Sequence, residues 1–145
     1  MGKLADDFIT ALHQLEETSD VNGITALFSD NAVLSNPLAV HDAEDGGAAK
    51  AFWTAYRAPF EKISSEFVNL AEGDSSAMLE WRSDGTLRGQ AVSYSGVSVL
   101  EFADDRITSF RAYFDPRELV AHVGSPQTSE DMTPSDVEPA SQESQ

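Results

Sequence analysis

A chain of 145 residues with 9 basic and 25 acidic side chains, a net charge of −16 and no cysteine is one domain's worth of polypeptide, enough for a single core. The acidity argues against nucleic acid or an anionic membrane surface as partner, since both need a basic footprint, and the missing cysteines exclude disulfides and thiolate chemistry. No apolar run approaches the roughly 20 residues of a membrane-spanning helix. The opening MGKLADDFITAL sets acids inside its apolar pattern, unlike a secretory leader, so the expectation is a cytoplasmic protein.

Residues 3 to 18 place Leu4, Phe8, Leu12 and Leu15 at helical spacing, an amphipathic helix. Asp20 then suits the cap of a short second helix with Ile24, Leu27 and Phe28 facing inward. Ala32 to Asn36 reads as a brief strand stopped by Pro37. The segment from Leu38 to Gly47 lacks periodicity and reads as a loop. A third helix is expected from about Ala48 to Phe60, with Phe52, Trp53, Tyr56 and Phe60 on a broad aromatic stripe and Pro59 marking its end.

From Ser64 the pattern turns to strands. Glu66 to Ala71 is one, Ala77 to Ser83 a second closed by a turn at Asp84-Gly85, and Leu87 to Phe102 a long third, bent or bulged at Gly89 and Gly96. Asp104-Asp105 turns the chain into ITSFRAYFDPREL. There Ile107, Ser109, Arg111 and Tyr113 alternate with Phe110, Ala112 and Phe114. Asp115 is a strong N-cap, Pro116 suits the first helical position, and Glu118 completes a capping box, so a short helix closes the fold. Helices segregated from an antiparallel meander imply an α+β domain over residues 1–124. Residues 125–145, rich in Ser, Pro, Gln and acids, are expected to be a disordered acidic tail.

The order of these elements, the segments ITALFSDNAVLSNPL and AFWTAYRAPF, and above all GVSVLEFADDRITSFRAYFDPREL resemble the nuclear-transport-factor-2-like superfamily. Within it, the SnoaL-like proteins (polyketide cyclases, limonene epoxide hydrolase, ketosteroid isomerase and relatives) are the nearest in kind. The resemblance spans roughly residues 4 to 123. It implies a cone: a curved antiparallel sheet wrapped around three N-terminal helices, with a pocket inside and a homodimer formed through the outer sheet face. That fold hosts enzymes, binders and interaction modules alike. The epoxide hydrolase pattern of Arg-x-Asp falls here on Met78-Leu79-Glu80, its second aspartate on Ala112, and its asparagine on Asn36. Only one carboxylate of the pair is retained.

In the register that the resemblance implies, Met78, Glu80 and Arg82 point into the pocket, with Glu80 as general base and Tyr94 polarising a substrate oxygen. The strand itself allows the opposite face, with Leu79 and Trp81 buried and Glu80 and Arg82 in solvent. Val92, Phe110, Ala112 and Phe114 would line the same pocket, and Asn36 either orients a ligand or serves as a turn residue before Pro37. Trp53 and Tyr56 share a helix face, as core or as pocket wall. Arg111 and Tyr113 would face a partner subunit. No histidine spacing binds metal; His41 with Asp42 lies in a segment able to overhang a pocket. No nucleotide-binding, nucleophile-elbow or zinc-hydrolase motif occurs, and no cofactor is expected. The expected function is a pocket for a small, largely apolar ligand with acid–base chemistry of the isomerase or cyclase type at Glu80; the alternative is a non-catalytic small-ligand binder or a dimeric interaction module of the same fold.

Overall fold

The apolar stripe of the first helix sets the architecture. The computed structural model describes residues 2–41 and 47–119. Helix α1, Lys3–Thr18, buries Ala5, Phe8, Leu12, Leu15 and, on the same stripe, Glu16. It stops where Ser19 turns left-handed (φ 65°) and its N–H closes on the Leu15 carbonyl at 2.8 Å. The short α2, Asn22–Thr25, follows Asp20, whose carboxylate accepts the Asn22 N–H at 2.9 Å. Helix α3, Ala48–Arg57, buries Ala48, Ala49, Phe52 and Trp53.

Six strands form one sheet: β1 Phe28–Asn36, β2 Ala39–His41, β3 Phe60–Glu72, β4 Ser76–Leu87, β5 Gln90–Ala103 and β6 Arg106–Phe114. Their order is β2-β1-β6-β5-β4-β3. The sheet is curved and open, and the fold is of the α+β class. Only the β1–β6 pairing is parallel; the rest are antiparallel. The three helices cover the inner face, where Phe8, Phe28, Phe52, Trp53 and Phe110 form an aromatic cluster with Trp53–Phe110 centroids 5.0 Å apart. A second core cluster gathers Phe60, Ile63, Trp81, Leu87, Val92 and Tyr94.

Several boundaries differ from the sequence expectation, each for a local reason. Strand β1 begins at Phe28, which the sequence pattern gives to the second helix, and the expected loop from Leu38 contains β2. Asn36 makes that hairpin: its Oδ1 accepts the N–H groups of Leu38 and Ala39 at 2.8 and 3.0 Å. Strand β4 runs through Asp84-Gly85 because β3 extends back to Phe60 and pairs with it. Gly85 lies so close to the Lys62 carbonyl that no Cβ fits. The turn falls instead at Arg88-Gly89, both at positive φ (53° and 78°), the backbone a two-residue hairpin demands. Asp104 and Asp105 (φ 53° and 62°) make the second such turn, at the expected place. In β6 an extra residue between Ile107 and Ser109 breaks the alternation, so Ile107 is buried with Phe110 instead of facing out with Arg111.

After β6, Asp115 accepts the Arg117 N–H at 3.0 Å as an N-cap, and residues 117–119 are helical. The acidic tail 125–145, the domain boundary at 124 and Asp42 lie outside the described residues. Among the described residues no helix is long and apolar enough to cross a membrane.

Candidate functional site

Glu16 is 4 % exposed, a carboxylate on the apolar stripe of α1 that must be compensated. Three donors meet it. Its Oε1 accepts the Ser65 N–H at 3.0 Å, and its Oε2 accepts the Ser65 hydroxyl at 2.5 Å and the Tyr56 hydroxyl at 2.7 Å. Ser65 Oγ lies 2.6 Å from Ser83 Oγ. The chain of polar groups thus joins α1, α3, β3 and β4. Arg57 clamps it from behind, its Nε donating to the Glu16 carbonyl at 3.1 Å and Nη1 to the Phe60 carbonyl at 2.6 Å.

This cluster borders a cavity of about 460 Å³ between the helices and the inner sheet face. Phe8, Phe52, Trp53, Trp81, Phe110 and Phe114 supply aromatic walls. Tyr56, Ser65 and Ser83 reach it from the polar cluster and Tyr94 from β5, and Asn36, His41 and Arg88 are further lining groups. Burial is the main cause that raises the Tyr56 phenol well above its usual range, with Tyr94 and Glu16 adding to it. Burial, then the Glu16 charge, raise Tyr94 likewise. Both phenols stay protonated at neutral pH and act as hydrogen-bonding groups, not bases. Among the described residues, no carboxylate lines the cavity and no group of His, Cys, Asp and Glu could hold a metal ion.

The residues expected at the site separate into three sets. Asn36, Trp53, Tyr56, Tyr94, Phe110, Ala112 and Phe114 line the cavity, although the Asn36 carbonyl oxygen is committed to its turn. Val92 points inward but packs in the second core cluster beside the cavity. Met78, Glu80 and Arg82 are on the outer face, with Met78 52 % exposed. The reason is the period of two: β4 buries Ala77, Leu79, Trp81 and Ser83 against the helices, so each intervening residue must face away. The Glu80 orientation drawn from the resemblance is therefore corrected; Glu80 opens onto no part of this cavity. Trp81, assigned outward by that register, donates its Nε1–H to Ser98 at 3.0 Å inside. His41 does line the cavity, from β2 rather than from a loop, edge-on to Phe52 at 5.8 Å.

Glu16, Ser65 and Ser83 were missed. One signal was available: Glu16 falls four residues after Leu12 and eight after Phe8, on the buried stripe, where a lone carboxylate is anomalous. Nothing local marks Ser65 or Ser83, which are small polar residues in ordinary alternation.

Comparison with known proteins agrees with this architecture. Residues 6–110 match the family model of the SnoaL-like domain. An NTF2-like protein from Anabaena variabilis ATCC 29413 has a similar structure (TM-score 0.71, 18 % identity, 78 % of this chain and 87 % of that one). So does a protein of ketosteroid isomerase-like fold from Catenulispora acidiphila DSM 44928, solved with trimethylamine (TM-score 0.70, 15 % identity, 83 % and 94 %). An LEH-like epoxide hydrolase from M. tuberculosis is a third (TM-score 0.63, 19 % identity, 85 % and 97 %). At these identities the likeness is one of fold. No curated protein matches in sequence. The family model covers most of the chain: the chain belongs to the SnoaL-like domain family.

Proposed function

We propose that the protein binds a small, largely apolar, ring-bearing molecule in the cavity, with the ligand's polar group at the Tyr56–Tyr94 end. One observation supports this above others: a concavity of about 460 Å³ with aromatic walls and a single convergent cluster of buried polar groups, the usual composition of a small-molecule site. Trp53, Phe110, Ala112 and Phe114 would contact the apolar body. Glu80 has no place in this reading, since it lies on the opposite face of the sheet.

A second reading, acid–base turnover of the isomerase or cyclase type, draws on the hydrogen-bonded path from Ser83, which lines the cavity, through Ser65 to Glu16. The binding reading is preferred because Glu16 is itself saturated by three donors and stands behind the wall. Chemical conversion of a bound polycyclic compound, followed by mass spectrometry, separates the two.

The proposal includes a cytoplasmic homodimer formed through the outer sheet face. There Met78, Val97, Val99 and Tyr113 lie in adjacent register across β4, β5 and β6, and Tyr113 is 56 % exposed. Arg111, paired with Glu101 at 2.5 Å, borders the band.

The cavity reading is tested by titration with N-phenyl-1-naphthylamine, a neutral apolar dye that fluoresces when desolvated. Saturable binding is expected, lost in Ala112→Trp, which fills the cavity, and unchanged in Glu80→Gln. Absence of binding, or binding indifferent to Ala112→Trp, overturns it.

A further inference from the structure

Two hairpin turns of the sheet share a left-handed backbone and differ in what fills it. Asp104 and Asp105 (φ 53° and 62°) have short polar side chains that tolerate this region. At the other turn Arg88 holds φ 53° ahead of Gly89, where Asn, Asp or Gly is the usual choice. A long side chain is strained there, so the turn itself gives no reason for an arginine.

The cavity gives one. The lining residues that are themselves exposed, Leu38, Ala39, Ala55, Pro59 and Arg88, mark its mouth. Among the described lining residues Arg88 alone carries a permanent charge, and no carboxylate lines the cavity to balance it. Nothing holds the guanidinium elsewhere. Arg57, Arg106, Arg111 and Arg117 are committed to carbonyls or carboxylates. The Arg88 side chain makes no hydrogen bond or ion pair among the described residues. Glu61, the acid at this turn, gives its Oε1 to the Gly89 N–H at 3.1 Å and forms no ion pair with Arg88.

We propose that Arg88 is the anion-recognising residue of the cavity, pairing at its mouth with the carboxylate of a ligand whose ring body fills the aromatic interior. The guanidinium fork offers a planar carboxylate two parallel N–H donors, and its single charge balances a monoanion. The inference rests on the ligand-binding reading and deepens it. The ligand is an aromatic or polycyclic acid, charged at the mouth, with a neutral polar group at the Tyr56–Tyr94 end. The chain's net charge of −16 would by itself favour cations. Anion selectivity is therefore a local effect of Arg88, and physiological salt screens acids more than about 8 Å away.

The test uses three isosteric probes of different charge, 2-naphthoate, 2-naphthamide and 2-naphthamidine. They are titrated into the full chain by calorimetry at neutral pH and about 0.15 M salt. The expected result is 2-naphthoate tighter than 2-naphthamide by about tenfold, the effect of one charge-assisted pair, with 2-naphthamidine weakest. Arg88→Asn should abolish that preference, leave 2-naphthamide affinity unchanged and not lower the melting temperature, since Asn suits the turn. Arg88→Lys should keep part of the preference, having the charge without the fork. Naphthoate no tighter than naphthamide, or a preference that survives Arg88→Asn, overturns the inference; N-phenyl-1-naphthylamine binding then still leaves the cavity reading standing. Failure of that dye and of all three probes to bind removes both.

Discussion

Replacing Glu16 by alanine should be the most destabilising single change available at the site. The carboxylate is buried and accepts three hydrogen bonds, from the Ser65 N–H and from the Ser65 and Tyr56 hydroxyls. Truncation leaves those donors without an acceptor where water is scarce. An unsatisfied buried donor costs about 1–3 kcal/mol. Ser65 can turn its hydroxyl to Ser83, 2.6 Å away, which relieves one of the three. Two orphaned donors and the void left by the side chain then give a loss of about 3–5 kcal/mol. Against a total stability of about 5–15 kcal/mol for a domain, that brings the protein close to unfolding at room temperature. Urea unfolding followed by tryptophan fluorescence measures it, with Glu80→Ala, on the outer face, as the control expected within about 0.5 kcal/mol of the parent. A combined Glu16→Leu, Ser65→Ala, Tyr56→Phe variant should recover part of the loss, since removing both sides of a buried hydrogen bond costs less than removing one. A loss below about 1 kcal/mol in Glu16→Ala would mean that the carboxylate is solvated, and the description of the cluster would fail.

Alkaline pH should weaken the fold. Tyr56 and Tyr94 are raised above the ordinary phenol value of 10.0, so above about pH 10 the unfolded chain loses protons that the folded chain retains. Stability is then full below that pH and falls as pH rises, by about 1.4 kcal/mol per unit for each tyrosine. Unfolding curves from pH 8 to 11 check this, and Tyr94→Phe should roughly halve the slope. Gly96→Ala should cost about 1–3 kcal/mol, because a Cβ there would strike the Tyr113 carbonyl and sit 2.9 Å from the Trp81 ring; a neutral effect in thermal unfolding would refute that close approach. Tyr113→Glu should shift the chain to monomer in sedimentation velocity without changing dye binding, and an unaltered mass in both would remove the outer sheet face as the dimer surface.

Much of the fold was legible because it depends on local rules. The stripe of α1 follows from Phe8, Leu12 and Leu15 at helical spacing, and the β5–β6 turn from Asp104-Asp105, residues that tolerate positive φ. Alternation sets Phe110, Ala112 and Phe114 on one face of β6, and the resemblance turns that face to the pocket. The misplaced β3–β4 region shows where such rules end. Asp84-Gly85 has the composition of a hairpin turn, but the glycine is there for the close pass of the Lys62 backbone, a contact between residues distant in sequence.

By itself, then, the sequence determined the α+β class and the order of the elements other than β2, both consequences of periodicity within each segment. Only the tertiary structure decided which face of β4 is the inside. A strand's two faces are equivalent under its period of two, and the helices packed on Leu79 and Trp81 break that equivalence and turn Glu80 outward. Only the tertiary structure, too, brought Glu16, Tyr56, Ser65 and Ser83 into one chain of hydrogen bonds. They lie on two helices and two strands, and it is the curvature of the sheet around α1, with the exclusion of water from its inner face, that makes four ordinary polar residues a site.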